Sequence, residues 1–131
     1  MSVSKHKPIV AVVDDDPRLL ESLEELLESA GYVARSFPSA RQLLINGLAG
    51  LDVLITDIGM PGMDGFELRD VVNRVRPELP VFLITGRHEI ADQGRAQGIS
   101  GFFRKPFDAK VLLAAVAEAL RNRKVEDDHD R

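Results

Sequence analysis

The chain has 131 residues, enough for one compact domain with a hydrophobic core and too few for two ordinary ones. Apolar residues make up 44% and charged residues 29%, the mix of a folded soluble protein. Seventeen Lys and Arg stand against 21 Asp and Glu, so a net charge of −4 excludes bulk attraction to nucleic acid or to an anionic membrane, and the absence of cysteine excludes disulfides and thiolate sites. The polar start lacks a signal-peptide core, and no apolar run approaches the roughly 20 residues that span a bilayer. These features predict a cytoplasmic, single-domain protein.

Two periodicities alternate along the chain. Residues 9–13 form a short β-branched run of the kind that is buried on both faces of a parallel sheet. Asp16-Pro17 supplies an N-cap and a proline at the first helical position. Leu19, Leu23, Leu26 and Ala30 follow at helical spacing, and Gly31 ends the helix. A weak strand is predicted at 32–37 and a short helix at 39–48. A further strand covers 51–56, with Asp57 at its end. The Gly-, Met- and Pro-rich segment 58–65 reads as a loop, and Phe66, Leu68, Val71, Val72 and Val75 mark a third helix. Strand 81–84 ends at Thr85. Residues 88–97 form a polar, glycine-interrupted helix with few apolar anchors. The last strand, 100–103, ends near Lys105-Pro106, and Asp108 caps a final helix.

Five β-α units in a row predict an α/β, doubly wound, five-stranded parallel sheet with helices on both faces. Such sheets bind ligands beyond the carboxyl ends of their strands. Those ends carry Asp14, Asp15 and Asp16, then Asp57, Thr85 and Lys105. Clustered carboxylates repel one another, and the usual remedies are a raised pKa or a bound cation. An all-oxygen set without Cys or nearby His suits a hard cation, with Mg²⁺ the natural candidate. Lys105 adds a mobile positive charge and Thr85 a hydroxyl. A metal and a lysine that neutralise phosphoryl oxygens, with a carboxylate as in-line nucleophile, are the parts that phosphoryl transfer needs. Asp16 reads as a helix cap, and Met60 and Met63 as packing residues. The glycines at 59, 62 and 65 read as turn formers, since they fit neither a Walker loop nor a dinucleotide fingerprint.

Four segments, at residues 12–17, 55–65, 83–86 and 102–107, resemble the receiver domain of bacterial two-component response regulators. The likeness covers residues 8 to about 122. It implies the flavodoxin-like fold of the chemotaxis regulators, with strand order 2-1-3-4-5. It implies that Asp57 is the phosphoacceptor for a histidine kinase or a histidine phosphotransfer protein. Asp14 and Asp15, with Asp57 and the backbone carbonyl of Gly59, would hold Mg²⁺. Lys105 would pair with Asp57, and Thr85 and Phe102 would switch the face built from the 88–97 helix, the last strand and the last helix. That face would serve a downstream output protein or domain, or a homodimer. A Lys-Pro pair at the last strand end matches the family's cis-proline. The departures are Gly59, Gly86 and Arg87, which flank the site and bear on phosphoryl lifetime.

Two rival readings stand beside this one. A phosphohydrolase of the haloacid dehalogenase type needs a second acid two residues after the nucleophile, where this chain has Gly59. A receiver-like module that is never phosphorylated would not need the full set of acids with Thr85 and Lys105. The expected organisation is a single receiver domain at 1–125 and a disordered acidic tail at 126–131, which holds four of the acids and one Arg. With the ordered chain consumed by one domain, two expectations stand: a stand-alone regulator that works through protein contacts, which the lack of a typical linker after Lys124 favours, or the receiver piece of a longer protein.

Overall fold

The computed structural model describes residues 7–86 and 100–129, with side chains through 122. Strands β1 (Ile9–Val13), β2 (Val33–Phe37), β3 (Val53–Asp57), β4 (Val81–Thr85) and β5 (Gly101–Arg104) form one sheet in the order β2-β1-β3-β4-β5, and all the pairings are parallel. Helices α1 (Pro17–Ser29), α2 (Ala40–Asn46), α3 (Gly65–Val75) and α4 (Ala109–His129) pack on it. The helix expected at 88–97 falls outside the described residues.

The strand sequences explain why the sheet is covered twice. Consecutive side chains on a strand point to opposite faces. Ala11 and Val13 of β1, Leu54 of β3, and Val81 and Leu83 of β4 share one core with Ala40 and Leu43 of α2 and Phe66, Leu68 and Val72 of α3. Val10, Val12, Val53, Ile55, Phe82 and Ile84, the alternate positions, share a second core with Leu20, Leu23 and Leu27 of α1 and Leu112 and Val116 of α4. Continuous apolar strands are therefore required, and β1, β3 and β4 are buried almost throughout. Met60 is buried and Met63 packs against the first core, as packing residues should.

Helix ends follow local chemistry. The Asp16 side chain accepts from the Arg18 N–H and Pro17 opens α1. At the other end, Gly31 N–H donates to Glu28 O and Tyr32 N–H to Leu27 O, a Schellman closure that places Gly31 at φ 95°. Ser39 caps α2, and Asp64 with Glu67 forms a capping box on α3. Helix α4 continues through 126–129, into the segment expected to be a disordered tail; no Gly or Pro interrupts the sequence from Ala109 onward.

Two long-range polar ties fix the chain where it enters the sheet, and neither is visible as a motif. Asp52 Oδ2 accepts from the Ile9 N–H at 2.8 Å, while Asp52 N–H donates to Ile9 O at 2.8 Å. Arg76, at the end of α3, donates through Nη1 to the carbonyls of Leu48 and Leu51, at 2.8 and 2.9 Å, and through Nε to Glu78 at 2.7 Å. The guanidinium thus joins the end of α3 to the turn that enters β3. We predict that Arg76→Ala leaves those two carbonyls without their charged donor and costs about 2–3 kcal/mol of stability in urea denaturation. An unchanged midpoint would refute this role.

Candidate functional site at the carboxyl rim

The pairing registers build the site. Val13 lies opposite Thr56, so one further step along each strand brings Asp14 level with Asp57. Asp57 in turn lies opposite Ile84, and Thr85 opposite Arg104, which puts Thr85 and Lys105 at the same rim. The ladders extend past the strands: Asp14 N–H donates to Phe37 O, and Lys105 N–H to Thr85 O at 2.8 Å. The Lys105–Pro106 peptide bond is cis, as the family likeness implies.

Asp14, Asp15 and Asp57 each bring a carboxylate oxygen to within 4.8 Å of the others. Lys105 Nζ lies 3.1 Å from Asp57 Oδ1 and 3.4 Å from Asp14 Oδ2. Asp14 is 1% exposed, Asp57 4% and Thr85 1%, whereas Asp15 stands at the open side. Asp14 Oδ1 accepts from the Asp16 N–H at 2.8 Å. Its other oxygen, Oδ2, is buried without a hydrogen bond among the described residues and lies 3.4 Å from the ammonium of Lys105.

These positions set the electrostatics. Burial, reinforced by the charge of Asp14 and only partly offset by Lys105, raises the Asp57 carboxyl from an ordinary 3.8 to about 6. Burial likewise raises Asp14, against the opposing Asp16 N–H and Lys105. Burial works against the charge of Lys105, but its hydrogen bond to Asp57 and the fields of both aspartates outweigh it and hold the ammonium above its usual range. Lys105 therefore faces both buried acids. The unsatisfied Asp14 oxygen and the all-oxygen donor set fit a hard divalent cation, and Mg²⁺ suits them.

The other expected site residues are placed as follows. Gly59 sits on the exposed loop two residues past Asp57. A Cβ at Gly86 would stand 3.9 Å from Lys105 Cδ, an ordinary van der Waals contact. Phe102 is at the surface, 36% exposed, while Phe103 beside it enters the second core and meets Phe82 at 5.6 Å between ring centroids. Asp16 caps α1 and stands outside the acidic trio, as its Pro17 neighbour implies. Arg87 lies outside the described residues. Sequence reading passed over one residue near Asp57: Gly65, counted among the turn formers, packs directly on the Asp57 backbone.

The response regulator receiver domain family model matches residues 10–117. The chain belongs to this family. The receiver is 37% identical over 125 residues to the C4-dicarboxylate transport transcriptional regulatory protein DctD of Rhizobium meliloti, covering 90% of this chain and 26% of that protein. It is 33% identical over 116 residues to the transcriptional regulatory protein FixJ of Bradyrhizobium diazoefficiens, covering 86% of this chain and 56% of that one. Among solved structures, a CheY-like receiver domain protein from Methanospirillum hungatei superposes with a TM-score of 0.86 at 25% identity, covering 92% of this chain and 99% of that one. The chemotaxis protein CheY4 of Vibrio cholerae superposes with a TM-score of 0.79 at 29% identity, covering 88% of this chain and 100% of that one. The receiver thus spans from about a quarter to just over half the length of these curated relatives. Among the described residues no helix is long and apolar enough to cross a membrane.

Folded Asp57 keeps its proton up to about pH 6, whereas an unfolded chain releases it near 3.8. Between those values the folded state holds more protons, so in the absence of divalent cations this group makes stability fall as pH rises. Asp14 acts in the same direction. At pH 7 without Mg²⁺, Asp57→Asn should therefore stabilise the receiver, by about 1–3 kcal/mol, and flatten the pH dependence of its urea midpoint between pH 4 and about 6. A less stable variant would refute the electrostatic account.

Proposed function

We propose that this receiver is a phosphorylation switch of a two-component or phosphorelay system, acting in the cytoplasm, with Asp57 as phosphoacceptor. The observation that carries the reading is the Asp57 carboxylate itself. It is buried at a strand end, 3.1 Å from Lys105 Nζ and clustered with Asp14 and Asp15. A phosphohistidine of a kinase or histidine phosphotransfer protein would be the donor. An Asp57 oxygen attacks phosphorus, the new P–O bond forms as the P–N bond breaks, and the imidazole leaves with the electron pair and takes a proton.

Asp14, Asp15, Asp57 and the Gly59 carbonyl would hold Mg²⁺. When bound, the ion supplies positive charge against the phosphoryl oxygens. This chain's own share is clear in outline. With a pKa of about 6, Asp57 is mainly ionised at neutral pH and remains a competent nucleophile. Lys105 balances its charge beforehand and the transferred oxygens afterwards. Thr85, at the end of β4, brings its hydroxyl to the phosphoryl group. Phe102, outside in this structure, turns inward in response. The surface of β5 and α4 would then meet a downstream output protein or domain, or a second receiver.

The protein in this reading catalyses only its own phosphorylation and dephosphorylation. Gly59 offers no acid for the dehalogenase-type chemistry. The intact acidic trio with Lys105 weighs against a receiver-like module that is never phosphorylated.

Incubation with acetyl phosphate and Mg²⁺ followed by intact mass should show a gain of one phosphoryl group. Asp57→Asn should abolish it, and Lys105→Ala should slow it about a hundredfold or more. No gain in the unaltered protein, with acetyl phosphate or with a phosphorylated histidine kinase, would overturn the reading in favour of the unphosphorylated module.

A further inference from the structure

The two peptides that flank Ile58 are held by several hydrogen bonds. Ile58 N–H donates to Ile84 O at 2.9 Å, which anchors the residue to β4. The Ile58 carbonyl accepts twice, from Met60 N–H at 3.1 Å and from Gly65 N–H at 2.9 Å. The first bond closes a three-residue turn with Gly59 at its centre. The second closes the whole 58–65 loop at its base. The first turn of α3, which carries Gly65, is stiffened by its capping box: Glu67 N–H donates to Asp64 Oδ1 at 2.8 Å, and Asp64 N–H donates to Glu67 Oε1 at 2.9 Å.

Gly65 lies where this stiff turn meets the catalytic strand. A Cβ at position 65 would stand 2.4 Å from the Asp57 carbonyl oxygen and 2.8 Å from Ile58 Cα. Both neighbours are backbone, so no side chain can swing aside. The backbone of Gly65 does not have the positive φ found at Gly62. Glycine is therefore required here for close approach, not for turn conformation.

We propose that Gly65 is a positioning residue for the Asp57 site. Its bare Cα lets the rigid start of α3 bear directly on the Asp57–Ile58 peptide. That contact fixes the backbone of the nucleophile, and the Gly59 turn beside it, against the acids of β1. The proposal rests on the reading of Asp57 as phosphoacceptor and assigns to α3 a part in its geometry. A Cβ at 65 would push the peptide toward the rim and displace the Asp57 carboxylate and the Gly59 carbonyl together.

The test compares Gly65→Ala with Leu27→Ala, a cavity variant in the second core on the opposite face of the sheet. Two quantities are read per folded molecule: the acetyl phosphate phosphorylation rate at saturating Mg²⁺, and the affinity for Mg²⁺ alone, by calorimetry without phosphodonor. The expected result is a rate about tenfold to a hundredfold lower in Gly65→Ala and Mg²⁺ binding weakened by about tenfold or more. Leu27→Ala should lose stability and neither of these. Gly65→Ala with lowered stability but unaltered rate and Mg²⁺ affinity would show a merely structural glycine and overturn the proposal. Should Gly65→Ala not fold, Glu67→Ala, which loosens the same turn without a clash, decides. A smaller loss in both quantities supports the proposal, and values equal to the unaltered protein overturn it. An unaltered protein that takes no phosphoryl group contradicts the reading of Asp57 itself, and the Mg²⁺ measurement then still decides the role of Gly65.

Discussion

The confrontation of Asp14 and Asp57 across one ammonium is the constraint on which this structure turns. Two carboxylates are held out of water at adjacent strand ends, with Asp15 close by and Lys105 as the cation that faces both buried groups. Exposed at the surface, these charges would be screened and nearly indifferent. Buried, they raise both carboxyl pKa values and hold the lysine firmly charged. The fold thus carries a local destabilisation at its rim, which a divalent cation would relieve. A site of this kind is poised to respond to charge, and that is the property a phosphorylation switch requires.

The rest of the domain can hold such a site because its stability comes from elsewhere. Two apolar cores, one on each face of the sheet, share the central strands by alternation, so β1, β3 and β4 cannot slip by one residue without exchanging the two cores. That rigidity aligns Asp14 with Asp57. The polar ties of Asp52 and Arg76 serve the same end from the far side, since each acts on the backbone that enters β3 or β1. At the near side, the capped start of α3 presses on the Asp57 peptide through Gly65. Asp57 is therefore located from both ends of its own strand.

Beyond the rim, the structure places contrasting residues side by side. Phe103 is locked into the second core, whereas Phe102 next to it remains at the surface on an edge strand. Parity on the strand puts Phe102 on the opposite face from Phe103, and the edge position of β5 leaves it partly exposed there. Phe102 stands three residues before Lys105, whose N–H donates to the Thr85 carbonyl at 2.8 Å.

Much of this was legible from the chain alone, and for physical reasons. β-branched runs, the Asp16-Pro17 and Ser39 caps and Gly31 act through local geometry, so the elements they define appear where expected. Parallel topology then obliges the strand-end residues Asp14, Asp57, Thr85 and Lys105 to share one rim, and the four matching segments identify the family. What the chain alone could not show depends on contacts between segments far apart in sequence. No local pattern marks Asp52 or Arg76: the first acts because Ile9 lies beside it, the second because the carbonyls of Leu48 and Leu51 converge on it. Gly65 reads as one turn glycine among three, because nothing local reveals that another backbone passes 2.4 Å from its absent Cβ. Even the unequal burial of the acids, with Asp14 and Asp57 enclosed and Asp15 open, is a product of packing. Residue type and spacing determined which groups meet at the rim; only the tertiary structure decided how much water each retains, and therefore how strongly they act on one another.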